Sequence, residues 1–233
     1  MTEPCRICHG PTLPSYQLRS NRHQVDVWLR RCRACNAFFS DGGPRQPCGV
    51  AASACSASLK RRCRLPGSST SAPGMGYAVE VAGNRGWRST GIGPNAVLAR
   101  SARNRGLAIE HGYLSVDTRG QYDSILIDNV LEHVADLRGF TTNAARLLSA
   151  DGLLVIAIPP FDWLRQLFAA IPYVRTQVKQ PQINVFCDAD EHVNIIGRRA
   201  MSRLMPAVNM RLEPTRFHHS RVPQSVGAHV DDR

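Results

Sequence analysis

Cys5-Arg-Ile-Cys8 and Cys32-Arg-Ala-Cys35 are two C-x-x-C pairs with twenty-three residues between them. Two thiolates at that spacing can hold one side of a zinc ion, and a second pair on a returning chain completes the tetrahedron. The spacer is slightly longer than a ribbon usually has, but its pattern suits a hairpin. In His23 to Leu29, apolar side chains fall at Val25, Val27 and Leu29, the period of a half-buried strand. Cys5, Cys8, Cys32 and Cys35 are therefore the expected ligands of one Zn²⁺. His9, beside the first pair, reads as a bystander. Cys48, Cys55 and Cys63 follow at irregular spacing and read as free thiols rather than a second metal site.

A second group of reactive types follows the apolar run Ser124-Ile125-Leu126-Ile127. Asp128, Asn129, Glu132 and His133 cluster just beyond it. A histidine there can exchange protons near neutral pH. The plainer alternative is that Glu132 and His133 only cap the turn and shape a pocket. Glu191-His192-Val193-Asn194 is a later polar group that could reach a ligand. His218-His219 reads as a solvated surface pair. Trp163 and Phe168, at helical spacing, read as core or lid.

The elements that must position these residues change character along the chain. Residues 1–40 form a small zinc-ribbon module. Residues 41–73 are rich in Gly, Pro, Ser, Ala and Arg and show neither helical nor strand period, so they read as a linker. From residue 74 strands and helices alternate. Helices are expected at Tyr77 to Arg85, Asn95 to Arg105 (Asn95 as N-cap, Gly106 just past the end) and Asp136 to Leu148. Strands are expected at Trp87 to Ile92, Leu107 to Glu110, 124–127 and Leu153 to Ile158, the last ended by Pro159-Pro160. Such alternation implies an α/β, Rossmann-like fold with a mostly parallel sheet covered on both faces. It extends over 74–215, and 216–233 form a tail.

Composition narrows the classes. At 43% apolar residues the chain can bury a core, and no run approaches the length of a membrane span. C-x-x-C pairs without an apolar leader suit a reducing cytoplasm. The net charge is +11; residues 1–66 hold 11 Lys/Arg against 3 Asp/Glu, and the rest holds 18 against 15. The basic excess thus sits on the ribbon and its linker, where it could meet phosphates. Base-stacking aromatics are sparse there, and 27 Arg against 2 Lys points to biased residue usage, so nucleic acid ranks behind a small-molecule partner.

Tyr122 to Val134 and Leu147 to Pro159 together resemble class I S-adenosylmethionine-dependent methyltransferases. The first block is similar to that family's fourth strand with its E-H loop, the second to its turn and fifth strand. Order and separation also agree, over roughly 74–215. Some bacterial members, including sugar C-methyltransferases, carry an N-terminal four-cysteine zinc module. The resemblance implies S-adenosylmethionine as cofactor and a small-molecule acceptor, a sugar or another metabolite. It implies cofactor contacts from Gly74, Gly76, Asp128, Asn129 and Glu132, with His133 as the catalytic base. Glu191 to Asn194 resembles the family's substrate-side segment.

Two places depart from the family pattern. Ala72-Pro73-Gly74-Met75-Gly76 keeps two of three glycines, and no apolar strand precedes it. Gly93 stands where the family has the acid that accepts the ribose hydroxyls, a loss worth roughly 1.5–3 kcal/mol. The alternative to an active enzyme is a non-catalytic module, a zinc ribbon contacting nucleic acid or protein on a methyltransferase-like domain that has lost its cofactor.

Overall fold

The computed structural model describes residues 3–19, 26–40, 52–56, 76–158 and 192–213. Two sheets organise them. The first is antiparallel, in the order β1 (Thr12–Arg19), β2 (Asp26–Cys32), β3 (Phe38–Ser40), β9 (Asn194–Ile195). The second runs β6 (Ile109–His111), β5 (Arg88–Gly93), β4 (Ala52–Ser56), β7 (Tyr122–Asp128), β8 (Leu148–Ala157). Helices α1 (Tyr77–Asn84), α2 (Ala96–Asn104), α3 (Leu137–Arg146) and α4 (Arg198–Leu204) complete the described elements, with 3-10 turns at Leu131–His133 and Pro206–Val208.

The expected alternation appears with its caps. Asn95 accepts from Leu98 N at 3.0 Å to open α2, and Asp136 accepts from Gly139 N at 2.9 Å to open α3. Gly106 closes α2 at φ +82°, where a side chain would be strained. The continuous apolar run Leu153 to Ala157 pairs parallel with β7, and its Leu154 and Ile156 pack on the core. Arg146, at the end of α3, donates to the carbonyls of Ser115, Val116 and Thr118 and ties down the loop before β7.

The stretch 41–73 differs from its expectation. It carries a strand, β4, which occupies the centre of the second sheet between β5 and β7. β4 runs antiparallel to both neighbours, while β5–β6 and β7–β8 are parallel. The sheet is thus mixed about its middle. Ala52-Ser-Ala-Cys-Ser56 has no apolar run to announce it, so sheet hydrogen bonding, not hydrophobic pattern, places it. Gly74, Cys48, Cys63, Trp163, Phe168, Glu191, His218, His219 and the tail from 216 lie outside the described residues.

A second difference concerns the ribbon. Its sheet is finished by β9, a strand contributed from 155 residues further along (Phe39 opposite Asn194). One core cluster joins Cys5, Ile7, Cys35, Ala37 and Phe39 to Ile125, Ile127, Leu131, Leu137, Ile196 and Leu204. The cysteine module and the α/β layer therefore share an interior.

Candidate functional site

The two cysteine knuckles repeat one backbone design. Cys5 N donates to Gly10 O and His9 N to Cys5 O; Cys32 N donates to Ala37 O and Asn36 N to Cys32 O. His9 and Asn36, each four residues past the first cysteine of its pair, take left-handed φ values of 57° and 61°. These turns fold each chain back so that its two sulfurs face the other pair. Sγ atoms of Cys5 and Cys35 are 3.6 Å apart, as are those of Cys8 and Cys32, and all four lie within 4.8 Å of one another. Tetrahedral zinc with Zn–S near 2.3 Å has sulfur–sulfur edges of about 3.8 Å. Gly10 lies against the cluster, and a Cβ there would sit 3.4 Å from Cys8 Sγ and 3.6 Å from Cys32 Sγ. The cysteines are free of disulfides. The Cys35 thiol and the amides of Cys8 and Ile7 pull Cys5 down to about 5, while Cys35, sharing its proton with Cys5 and buried, is pushed up. Burial also raises Cys8. A thiolate cluster in a closed, tetrahedrally spaced cage fits a structural zinc ion.

The second group forms at the carboxyl end of β7. Asn129 turns the chain in a left-handed conformation at φ 50°, its N–H donating to Ala157 O and its side chain donating to Asp128 Oδ1 at 3.0 Å. Val130 and Leu131 then plug into the core, and the 3-10 turn Leu131–His133 follows. Glu132 is 2% exposed, and its Oε2 is buried with no hydrogen-bond partner among the described residues. Burial, and secondarily Asp128, raise Glu132 to about 7. Burial also raises Asp128. An uncompensated buried carboxyl is costly, so a donor brought by a ligand would stabilise it.

His192 returns to this turn from the far side of the chain. Its ring meets that of His133 edge-on, with centroids 4.8 Å apart. Donor atoms of Glu132, His133 and His192 lie within 4.8 Å of one another, a set that could also take a divalent ion. Asn194, fully buried, donates from Nδ2 to Leu131 O at 2.8 Å and Val134 O at 2.6 Å.

The family profile described as "Methyltransferase domain" matches residues 72–214, more than half of the chain. The chain belongs to that methyltransferase family. A comparison with curated proteins finds no match. The methyltransferase domain accounts for the α/β, Rossmann-like architecture and the parallel pairs flanking β4. It also gives the turn after β7 a meaning, because ligands of open α/β sheets bind beyond the carboxyl ends of the strands.

Asp128, Asn129, Glu132 and His133 are brought together at that end. Gly76 is not part of this group. It precedes α1, where a Cβ would stand 2.6 Å from Arg105 Nη2 and 3.2 Å from Leu107. Arg105 in turn pairs with Glu80 at 3.1 Å, so Gly76 lets α1 pack on the end of α2. Gly93 ends β5 as expected, and its carbonyl accepts from Gly112 N, with no carboxylate at the spot. His192 as a neighbour of His133, and Asn194 as the clamp of their turn, are placements that spacing alone does not give. The signal available was the polar cluster His192-Val193-Asn194 ahead of a helix.

Proposed function

We propose that this chain is an S-adenosylmethionine-dependent methyltransferase of a small-molecule acceptor, a sugar or another metabolite, with one structural zinc at Cys5, Cys8, Cys32 and Cys35. The observation that carries it is Glu132: a carboxyl oxygen buried without a partner among the described residues, at the carboxyl end of β7 in a methyltransferase domain. S-adenosylmethionine is the usual donor of such domains, and when bound it supplies an activated methyl group. The chain's own work is then placement and proton handling. Glu132 would hold the cofactor by accepting a hydrogen bond from its amino or hydroxyl groups. Asp128 and Asn129 line the same side. His133 would take the acceptor's proton, with the His192 ring held against it. The buried, apolar floor of Val130 and Leu131 keeps water from that exchange.

Two observations favour a second reading, a non-catalytic binding module. Gly93 offers no carboxylate, and β4 reverses the direction of the central strand. Calorimetric titration with S-adenosylhomocysteine separates the readings. The enzyme reading expects weak binding by the natural chain and binding tightened about tenfold or more in Gly93→Asp. No heat from either protein at millimolar ligand would leave the binding module standing.

A further inference from the structure

We propose that Asn194 is a positioning residue for methyl transfer: it fixes the turn that presents Glu132 and His133, and the cysteine module fixes Asn194. The inference rests on the assignment of Glu132 and His133 to the cofactor and acceptor. The turn has little backbone bonding of its own, namely His133 N to Val130 O at 2.9 Å and Val134 N to Leu131 O at 3.4 Å. The two carbonyls that bracket Glu132 and His133, those of Leu131 and Val134, are the ones that Asn194 Nδ2 reaches, at 2.8 and 2.6 Å. Both amide hydrogens are therefore spent on the turn, in a place fully closed to water.

The other end of the amide belongs to the ribbon. Arg6 lies between the ligands Cys5 and Cys8. Its guanidinium stacks on Phe39 and reaches Asn194 Oδ1 at 3.5 Å, Val193 O at 3.4 Å and Ser40 O at 3.5 Å. A donor at Oδ1 sets which end of the amide is NH₂, and so aims the donors at the turn. Ser40 N to Val193 O at 3.0 Å and the Phe39–Asn194 pairing hold the backbone of the same segment. A second tie runs from His9, in the first knuckle, to Arg138 at 3.1 Å in α3, the helix that follows the turn. The route from thiolate cage to Glu132 and His133 is thus Cys5–Cys8 knuckle, Arg6 and β3, Asn194, turn.

The test uses the full, zinc-loaded chain with Asn194→Ala and Asn194→Ser, the second keeping one donor. Two readouts are taken: affinity for S-adenosylhomocysteine by calorimetry, and the pH titration of the His133 imidazole by NMR. Positioning predicts affinity lowered roughly tenfold or more in Asn194→Ala, a displaced His133 midpoint, one zinc retained, and Asn194→Ser in between. Folded variants with natural affinity and an unmoved His133 titration, differing only in melting temperature, would overturn it. If Asn194→Ala does not fold, the Asn194→Ser values decide. If the natural chain binds no S-adenosylhomocysteine, the cofactor assignment falls and the role in methyl transfer falls with it; a His133 midpoint still displaced in Asn194→Ala would then leave Asn194 only as the clamp of the turn.

Discussion

Glu132 is the residue at which structure and chemistry pull hardest against each other. A carboxyl 2% exposed, with an oxygen unpartnered among the described residues, holds its proton to about pH 7, whereas the unfolded chain releases it near 4.5. Between those values the folded state binds more protons, so stability contributed by this group is full at low pH and falls as pH rises through 7. Glu132→Gln removes that dependence. The stability of the variant relative to the natural chain is expected to climb from pH 5 to pH 8, by about 3 kcal/mol at most, read as a growing difference in melting temperature. Parallel melting curves across that range would show that Glu132 is ionised in the fold. The residue's identity and place after an apolar strand were legible in the sequence, as was the company of Asp128, Asn129 and His133. Its burial was not, since burial depends on β9, a strand from far along the chain, closing over the turn through Asn194.

Elements with a strong local signal are legible nearly residue for residue: α2 with its Asn95 cap, α3 with Asp136, and the apolar centres of β7 and β8, although β8 begins at Leu148, five residues before its apolar run. β4 and β9 are invisible in the sequence for a shared physical reason. Ala52–Ser56 is small and polar, and Asn194–Ile195 is two residues long. Neither can display a period, and both exist because a neighbouring strand offers its edge. The capping of α3 matters most here, because that helix begins shortly after His133. Asp136→Ala leaves Gly139 N without its acceptor and should cost about 1 kcal/mol, which is roughly 2–4 °C in melting temperature for a chain of this size. An unchanged melting temperature would mean that water replaces the cap without loss.

At the scale of the whole molecule, the cysteine module is built into the methyltransferase domain. Sequence separates residues 1–40 from the α/β region by composition and by a linker. The fold rejoins them through β9, through Arg6 and through a core running from Cys5 to Leu204. No periodicity could foretell that, because the pairing of Phe39 with Asn194 is a tertiary event. Zinc should therefore support more than the ribbon, since metal bound only by the folded module stabilises whatever folds with it. Among the described residues no helix is long and apolar enough to cross a membrane. Hydrogen–deuterium exchange before and after zinc is withdrawn with a chelator, or in Cys32→Ser, tests this unity most directly. Protection should be lost at 5–40 and, with it, at 129–134 and 192–196. Loss confined to 5–40, with the Glu132–His133 turn as protected as before, would contradict it.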